Sequence, residues 1–325
     1  MSTNFSYHES EFFDYAIESE LGILENLVKN DNVTDILVNG HSQIWVDKGK
    51  GLEKTNLTFI SEENLRNFAQ KLALANNKRL DQSSPYVDIL LENNIRMHAI
   101  LSPLANPGTI ISLRVHREKV YTLLDLVNLK TIKKLQKEFL EELILKQKSF
   151  VISGGTGSGK TTLLNSLLSL VPLNQRIIIV EDSKELKPDH PHVISLSARS
   201  PNIEGKGEIT LRDLIKQTLR MRADRLVVGE VRGNEVIDWL AALNTGHKGG
   251  CGTIHANSIY EVVSRFENLG LNAGFSLTAI HAQLKNTIQY VIQLDQDLQG
   301  QREIKDIGEL FINDQGVNEV RPLKI

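Results

Sequence analysis

The spacing of apolar residues changes character near the middle of the chain. From Glu11 to Lys29, Phe12, Phe13, Ala16, Ile17, Leu21, Leu24, Leu27 and Val28 recur at helical spacing, which Gly22 weakens. Asp35–Asn39 and Ile44–Asp47 then read as short β runs parted by Gly40-His41-Ser42, a hairpin signal. A glycine-bearing turn over 48–51 leads into the run Leu57–Ile60. Ser61 opens a helix whose Leu65, Phe68, Ala69 and Leu72 share one face. Three more β-like runs, Tyr86–Leu91, Ile95–Leu101 and Thr109–His116, turn at Asn93-Asn94 and at Pro103–Gly108. This half predicts a small α+β domain dominated by antiparallel strands.

Beyond Leu123–Leu129 and a charged helix over Thr131–Lys146, the pattern becomes one of strand and helix in alternation. Phe150–Ile152, Arg176–Asp182 and Leu226–Glu230 are continuous apolar runs suited to a buried parallel sheet. Between and after them, helices are predicted over Thr210–Met221 (Thr210 and Asp213 as a capping pattern), Gly233–Thr245, after a Ser258–Glu261 capping box, and over Ser276–Leu284. Tyr290–Leu294 and Ile304–Ile312 close the chain as strands. The expected fold class is therefore α/β with a parallel central sheet, preceded by the smaller α+β domain. The expected boundary lies near Val127, giving domains 1–127 and 128–325.

Length and composition narrow the classes. A chain of 325 residues suits two cores, and 41% hydrophobic with 24% charged residues is ordinary for a globular protein. The net charge of −3 gives no overall basic field, and no aromatic-plus-basic stripe is present, so direct nucleic-acid binding is not expected. Cys251 is the only cysteine, which excludes an intrachain disulfide and a cysteine zinc cluster and reads most simply as a small packing residue. The first fifteen residues lack a secretory signal's apolar centre, and no apolar run approaches the ~20 residues needed to cross a bilayer. A cytoplasmic setting is expected.

The candidate chemistry centres on Ser149–Leu170. It holds G-x-x-x-x-G-K-T from Gly154 to Thr161, with an apolar strand before it and a helix after it that Pro172 stops. Gly154, Gly155, Gly157 and Gly159 let the loop curl so that successive N–H groups, including those around Thr156 and Ser158, face one anion. The start of the following helix, through Thr161 and Thr162, adds partial positive charge. Lys160 reaches β- and γ-phosphates and the Thr161 hydroxyl holds Mg²⁺. The substrate implied is a nucleoside triphosphate.

Ligands of open parallel sheets meet the carboxyl ends of the strands, which places Glu181, Asp182 and Glu230 near that nucleotide. Glu230 is the candidate for activating water. Glu181 is assigned to positioning water or a Mg²⁺-bound water, and both carboxylates are candidate metal-shell groups with Thr161. Gly229 stands where an ordinary Walker B strand carries its metal-binding aspartate. Arg199, Arg220 and Arg222 are candidates either for arginine fingers to a neighbouring subunit's γ-phosphate or for subunit-interface ion pairs. His255, ending a strand beside the cradle, and His247 are candidate γ-phosphate sensors. In the first half, Arg96 and Arg114 sit within strand runs, either as exposed strand charges or aimed at phosphate.

GGTGSGKTTLLNSLL, IIIVEDSKEL, LRMRADRLVVGEVRG and LNTGHKGGCGTIHANS, in this order, resemble the Walker A, Asp box, Walker B and His box of the type II/IV secretion ATPase superfamily. TDILVNG, IWVDKGKGLE, RLDQSSPYVD, IRMHAIL and ISLRVH are similar to the tight-adherence (Flp) pilus branch, the TadA/CpaF-like ATPases. The resemblance covers roughly residues 20 to 312. It implies a RecA-like ATPase domain behind a PAS-like N-terminal domain, and a homohexameric ring on the cytoplasmic face of a secretion or pilus machine, working with inner-membrane platform proteins. It further implies ATP between the two domains, with Arg96 and Arg114 reaching its phosphates, and it makes Gly229-Glu230 a family trait. Ala223 stands where proline is frequent, the N-terminal extension is short, and the tetracysteine module of type II secretion assembly ATPases is missing. Other expectations left open are a conjugation-type ATPase, a RecA-like nucleic-acid translocase and a nucleotide-binding scaffold that does not hydrolyse.

Overall fold

The structure, a computed structural model, describes residues 20–49, 51–91, 95–115, 120–199, 201, 206–297 and 299–325. Residues 11–19 of the first expected helix, the Asn93-Asn94 turn and His116 lie outside these. The chain forms two compact units, Met1–Arg117 and Glu118–Ile325. The division falls ten residues before the expected boundary. Leu123 and Leu126 share a core with Phe150 and Leu163, so the connecting helix belongs to the second unit.

The first unit is a six-stranded antiparallel sheet of β1 (Asp35–Asn39), β2 (Ile44–Asp47), β3 (Leu52–Lys54), β4 (Tyr86–Leu91), β5 (Ile95–Ile100) and β6 (Ile110–Val115), in the order β3-β2-β1-β6-β5-β4. Before it come a 3₁₀ turn, Gly22–Leu24, and α1 (Glu25–Lys29). The strands alternate as period two requires: Ile36, Val38, Ile89, Met97, Ile111 and Leu113 are buried. They pack under α2 (Glu62–Ala75), whose Leu65, Ala69 and Leu72 complete the core. Ser61 caps α2 by accepting from the Asn64 N–H. The run Leu57–Ile60 buries Phe59 but forms no strand; the strand after the turn is the exposed β3.

Arg96 and Arg114 face each other across β5 and β6, and Asp35 is the next residue in the row. Two like charges in register are unfavourable. Here Asp88 accepts from Arg96 at 3.0 and 2.6 Å, and Asp35 accepts from Arg114 at 3.2 Å. The sheet face away from α2 thus carries a balanced row of charges.

The second unit has helices on both faces of an eight-stranded sheet. Its elements are α3 (Leu123–Asn128), α4 (Lys134–Leu145), β7 (Phe150–Gly154), α5 (Lys160–Leu168), β8 (Ile177–Glu181), β9 (Val193–Ser197), α6 (Leu211–Thr218), β10 (Arg225–Val231), α7 (Glu235–Asn244), β11 (Cys251–Ile254), α8 (Glu261–Asn272), α9 (Leu277–Thr287), β12 (Tyr290–Gln296), β13 (Arg302–Ile312) and β14 (Asn318–Pro322). The order is β14-β13-β12-β7-β11-β10-β8-β9, and the stretch from β12 to β9 is parallel. Alternate residues of one strand serve opposite cores: Val151 and Val228 meet α6–α9, whereas Phe150, Ile152 and Val227 meet α3–α5. The expected capping of α6 holds, with Thr210 and Asp213 bonded reciprocally. At α8 the Glu261 carboxylate reaches Asn257 rather than closing a box on Ser258. The edge strands β9 and β14 were not expected, because an edge strand half open to water carries little hydrophobic signal.

One buried cation ties the amino edge of this sheet together. Arg225, only 1% exposed, donates to the Gln175 side chain at 2.8 Å, the Ile144 carbonyl at 2.7 Å and the Gly249 carbonyl at 3.4 Å. It therefore joins the end of α4, the loop before β8 and the loop before β11. Arg225→Ala would leave these acceptors buried without a donor. It is expected to cost roughly 3 kcal/mol of the unit's stability, read as a lower urea midpoint with unchanged far-ultraviolet dichroism.

Candidate functional site

The cradle forms where β7 stops. All five β7 residues are buried, and the chain then turns through Gly155–Ser158 into α5. Gly157 and Gly159 hold φ of +78° and +97°, a region that side chains with a Cβ disfavour, and Gly159 is the N-cap of α5. Gly155 needs no such freedom, since a Cβ there would meet nothing within 4 Å. Ser158 closes the turn by donating to the Gly155 carbonyl at 2.9 Å. Lys160 is buried, and its Nζ donates to the carbonyls of Gly154 at 2.9 Å and Gly155 at 2.7 Å. Burial lowers its pKa, an effect the nearby Glu230 opposes. The ammonium is thus held at the centre of the loop, with Thr161 and Thr162 in the first turn behind it.

Parallel register brings the other candidates to the same edge. β11 lies between β7 and β10, so His255 and Glu230 emerge beside the loop. Between Val228 and Val231 the pairing with β11 gains one residue, a β-bulge at Gly229-Glu230. Thr253 holds it by donating to the Gly229 carbonyl at 2.7 Å. The bulge turns Glu230 toward two partners: His255 Nε2 at 2.8 Å and Arg232 at 2.5 Å. Burial works against ionising Glu230, but the Arg232 hydrogen bond and the charges of Arg232 and Lys160 outweigh it, and its pKa lies below the usual carboxylate value. Burial, reinforced by Lys160, lowers the His255 pKa. A neutral imidazole beside an ionised carboxylate must donate from Nε2–H.

Glu181, at the end of β8, behaves oppositely. It is 4% exposed, and burial pushes its pKa up to about 7, although backbone N–H groups oppose this. Its Oε1 accepts from Leu186 at 3.0 Å and Glu185 at 3.3 Å, while Oε2 has no hydrogen-bond partner. The side chain also explains Gly229: a Cβ there would stand 2.6 Å from Glu181 Cγ. A side chain at 229 would force the Glu181 side chain out of this position. Among the described residues no three His, Cys, Asp or Glu side chains converge on one metal position. The residues fit a Mg²⁺ that relies mainly on phosphate and water, with the Thr161 hydroxyl and the Glu181 Oε2 as protein groups. Each Glu230 oxygen accepts one hydrogen bond, from His255 and from Arg232, which leaves further lone pairs open.

The remaining candidates lie elsewhere. His247 precedes the amino end of β11 and bonds the Ala242 carbonyl at the end of α7 at 3.0 Å, on the sheet edge opposite the cradle. Arg220 and Arg222 are exposed and precede the amino end of β10, at that same far edge. Arg199 follows β9, donates to the Gly207 carbonyl at 2.7 Å and lines a cavity of about 530 Å³ with Asp182 and Arg232. Arg96 and Arg114 belong to the first unit, on the open face of its sheet. Cys251 is fully buried in a core, with burial pushing its thiol up to about 12.

Residues that sequence reasoning missed complete the site. Arg232 follows Glu230 closely enough that VGEVRG held a hint of it. Thr253 offered none, nor did Gln293, whose side chain accepts from Ser153 at 2.5 Å and donates to the Ala256 carbonyl at 3.2 Å beneath the loop.

The family model for "Type II/IV secretion system protein" matches residues 18–321. A "Putative conjugal transfer protein" of Mycobacterium tuberculosis is 45% identical over 89% of this chain and 84% of its own length. The "Type IV secretion system protein VirB11" of Bartonella henselae is 25% identical over 78% of this chain and 80% of its own. The X-ray structure of the Legionella pneumophila ATPase DotB superposes with a TM-score of 0.60 at 19% identity, over 92% of this chain and 78% of that one, which shows a shared fold. With the family model spanning both units, this chain belongs to the type II/IV secretion system protein family, a family of secretion ATPases.

Proposed function

We propose that this chain is a Mg²⁺-dependent ATPase motor that works as a homohexamer on the cytoplasmic face of a secretion machine, coupled to inner-membrane platform proteins. The observation that carries the reading is the placement of an ionised Glu230, held between His255 and Arg232, beside the buried Lys160 of a phosphate loop. Lys160, the loop N–H groups and the start of α5 bind the phosphates. Glu230 takes the proton of the attacking water, which His255 helps to orient. Bound Mg²⁺ would neutralise charge on the phosphates, held through Thr161 and Glu181. Arg96 and Arg114 from the first unit would meet the phosphates, and Arg199, Arg220 or Arg222 would act across a subunit boundary. No described helix is long and apolar enough to cross a membrane, which suits docking through partners.

For the machine itself, the TDILVNG, RLDQSSPYVD and ISLRVH stretches favour tight-adherence (Flp) pilus assembly with pilin as cargo. A second reading, a conjugation-type ATPase, is favoured by the 45% identical putative conjugal transfer protein. Affinity purification from native membranes distinguishes them: a polytopic platform protein with pilins supports the first, a relaxase or coupling protein the second.

Three outcomes test the chemistry. Lys160→Ala should abolish ATP binding and Mg²⁺-dependent phosphate release, and turnover that survives it would refute the site. Glu230→Gln should keep ATP binding but lower kcat by about 10²–10⁴, the usual scale for a lost general base. Because Glu181 must be ionised to hold a metal-bound water, kcat/KM for ATP should rise with pH through about 7. Its effect on folding has the opposite sign. A carboxyl whose pKa is raised on folding contributes stability at low pH that is lost as pH climbs from about 4.5 to about 7. Against Glu181→Gln, the unmodified protein should therefore lose roughly 3 kcal/mol across that window, seen in paired thermal melts.

A further inference from the structure

The hairpin of β12 and β13 lies against the phosphate loop from the flank away from the acidic cluster. In the sheet, β12 and β10 are on opposite sides of β7, and Leu294 is in register with Gly154. Past β12 the chain turns on Asp297, whose carboxylate accepts from the N–H groups of Gln299 and Gln301 at 2.9 and 2.8 Å. The start of β13 is fixed in turn, since Gln301 donates to the Leu129 carbonyl at 3.0 Å and Ile304 N–H to the Thr131 carbonyl at 2.9 Å. Arg302 is the side chain this arrangement directs over the loop. Its Nε donates to the Gly157 carbonyl at 2.9 Å, and a Cβ on Gly159 would meet its Cδ at 3.2 Å. Gln296 lies beside it, 3.6 Å from where a Gly157 Cβ would stand. Arg302 nonetheless remains exposed, and no carboxylate within salt-bridge distance of it is recorded among the described residues.

We infer that Arg302 is a nucleotide-binding residue acting within its own subunit, covering the nucleoside end of bound ATP or ADP. The inference rests on the ATPase reading above. Lys160 and the Glu230–His255 pair fix the flank at which the terminal phosphate is cleaved. A nucleotide is a linear chain of groups, so its α-phosphate, ribose and base leave the cradle on the other flank, where Arg302 lies. A guanidinium suits that end chemically: its planar fork bonds phosphate oxygens and its face stacks on an aromatic base. A group placed there touches what ATP and ADP share and nothing that changes during cleavage. It therefore sets affinity and residence time rather than the rate of the chemical step. Arg302 would also link product departure to the hairpin, since its bond to Gly157 competes with its contact to nucleotide.

The test is a KM-against-kcat separation on the full-length protein. Fluorescent ADP and ATP analogues are titrated into the unmodified protein, Arg302→Ala and Lys160→Ala, alongside steady-state ATPase assays. Arg302→Ala is expected to weaken ADP and ATP by the same factor, about tenfold, the scale of one charge-assisted contact, and to leave kcat within about twofold. Unchanged ADP affinity in Arg302→Ala, a loss confined to ATP, or a fall in kcat at unchanged KM would overturn it. If the unmodified protein bound neither nucleotide, the ATPase reading itself would fall. If it bound both and Arg302→Ala bound them equally well, only the present inference would.

Discussion

The chemistry at the carboxyl edge of the second unit depends on one bent stretch of backbone. β10 carries an extra residue at Gly229-Glu230, and the Thr253 hydroxyl holds the displaced Gly229 carbonyl at 2.7 Å. In an unbulged strand side chains alternate strictly between faces. The bulge re-aims Glu230 so that it meets His255 from β11's end and Arg232 from its own strand's end. Gly229 makes this possible, because the space its Cβ would need is filled by the Glu181 side chain.

Those two glutamates show how local surroundings divide labour between identical groups. Both are withdrawn from water. Glu230 gains a guanidinium and an imidazole N–H and stays ionised, whereas Glu181 meets only backbone donors on one oxygen and is pushed toward neutrality. Carboxylates separated in this way can take different tasks near neutral pH. The Glu181 side chain, from the adjacent strand β8, fills the space beside Gly229, where an ordinary Walker B strand carries its aspartate.

Much of this was legible in the sequence, and the reasons are local. The phosphate loop is a contiguous device of glycines, lysine and threonine between an apolar strand and an amphipathic helix, so its residues declare it without tertiary context. Strand ends at Glu181, Glu230 and His255 could be placed because buried parallel strands are continuous apolar runs with abrupt polar ends. The antiparallel first unit was readable from its period-two alternation. The weak points were equally physical: the half-exposed β9 and β14 lack a hydrophobic signature, and Leu123 and Leu126 look alike whichever core they join.

By itself, then, the chain determined its two folding patterns, the cradle and the identity of the carboxylates near it, since each depends on residues within one or two turns or strands. Tertiary structure decided the rest. It set His247, Arg220 and Arg222 at the far edge of the sheet, gave Glu230 its arginine and histidine, and laid Arg302 on a loop more than a hundred residues upstream. Strand order and register fix which distant side chains share an edge. Those quantities arise from how helices cover both faces of the sheet, and no short stretch of sequence encodes them.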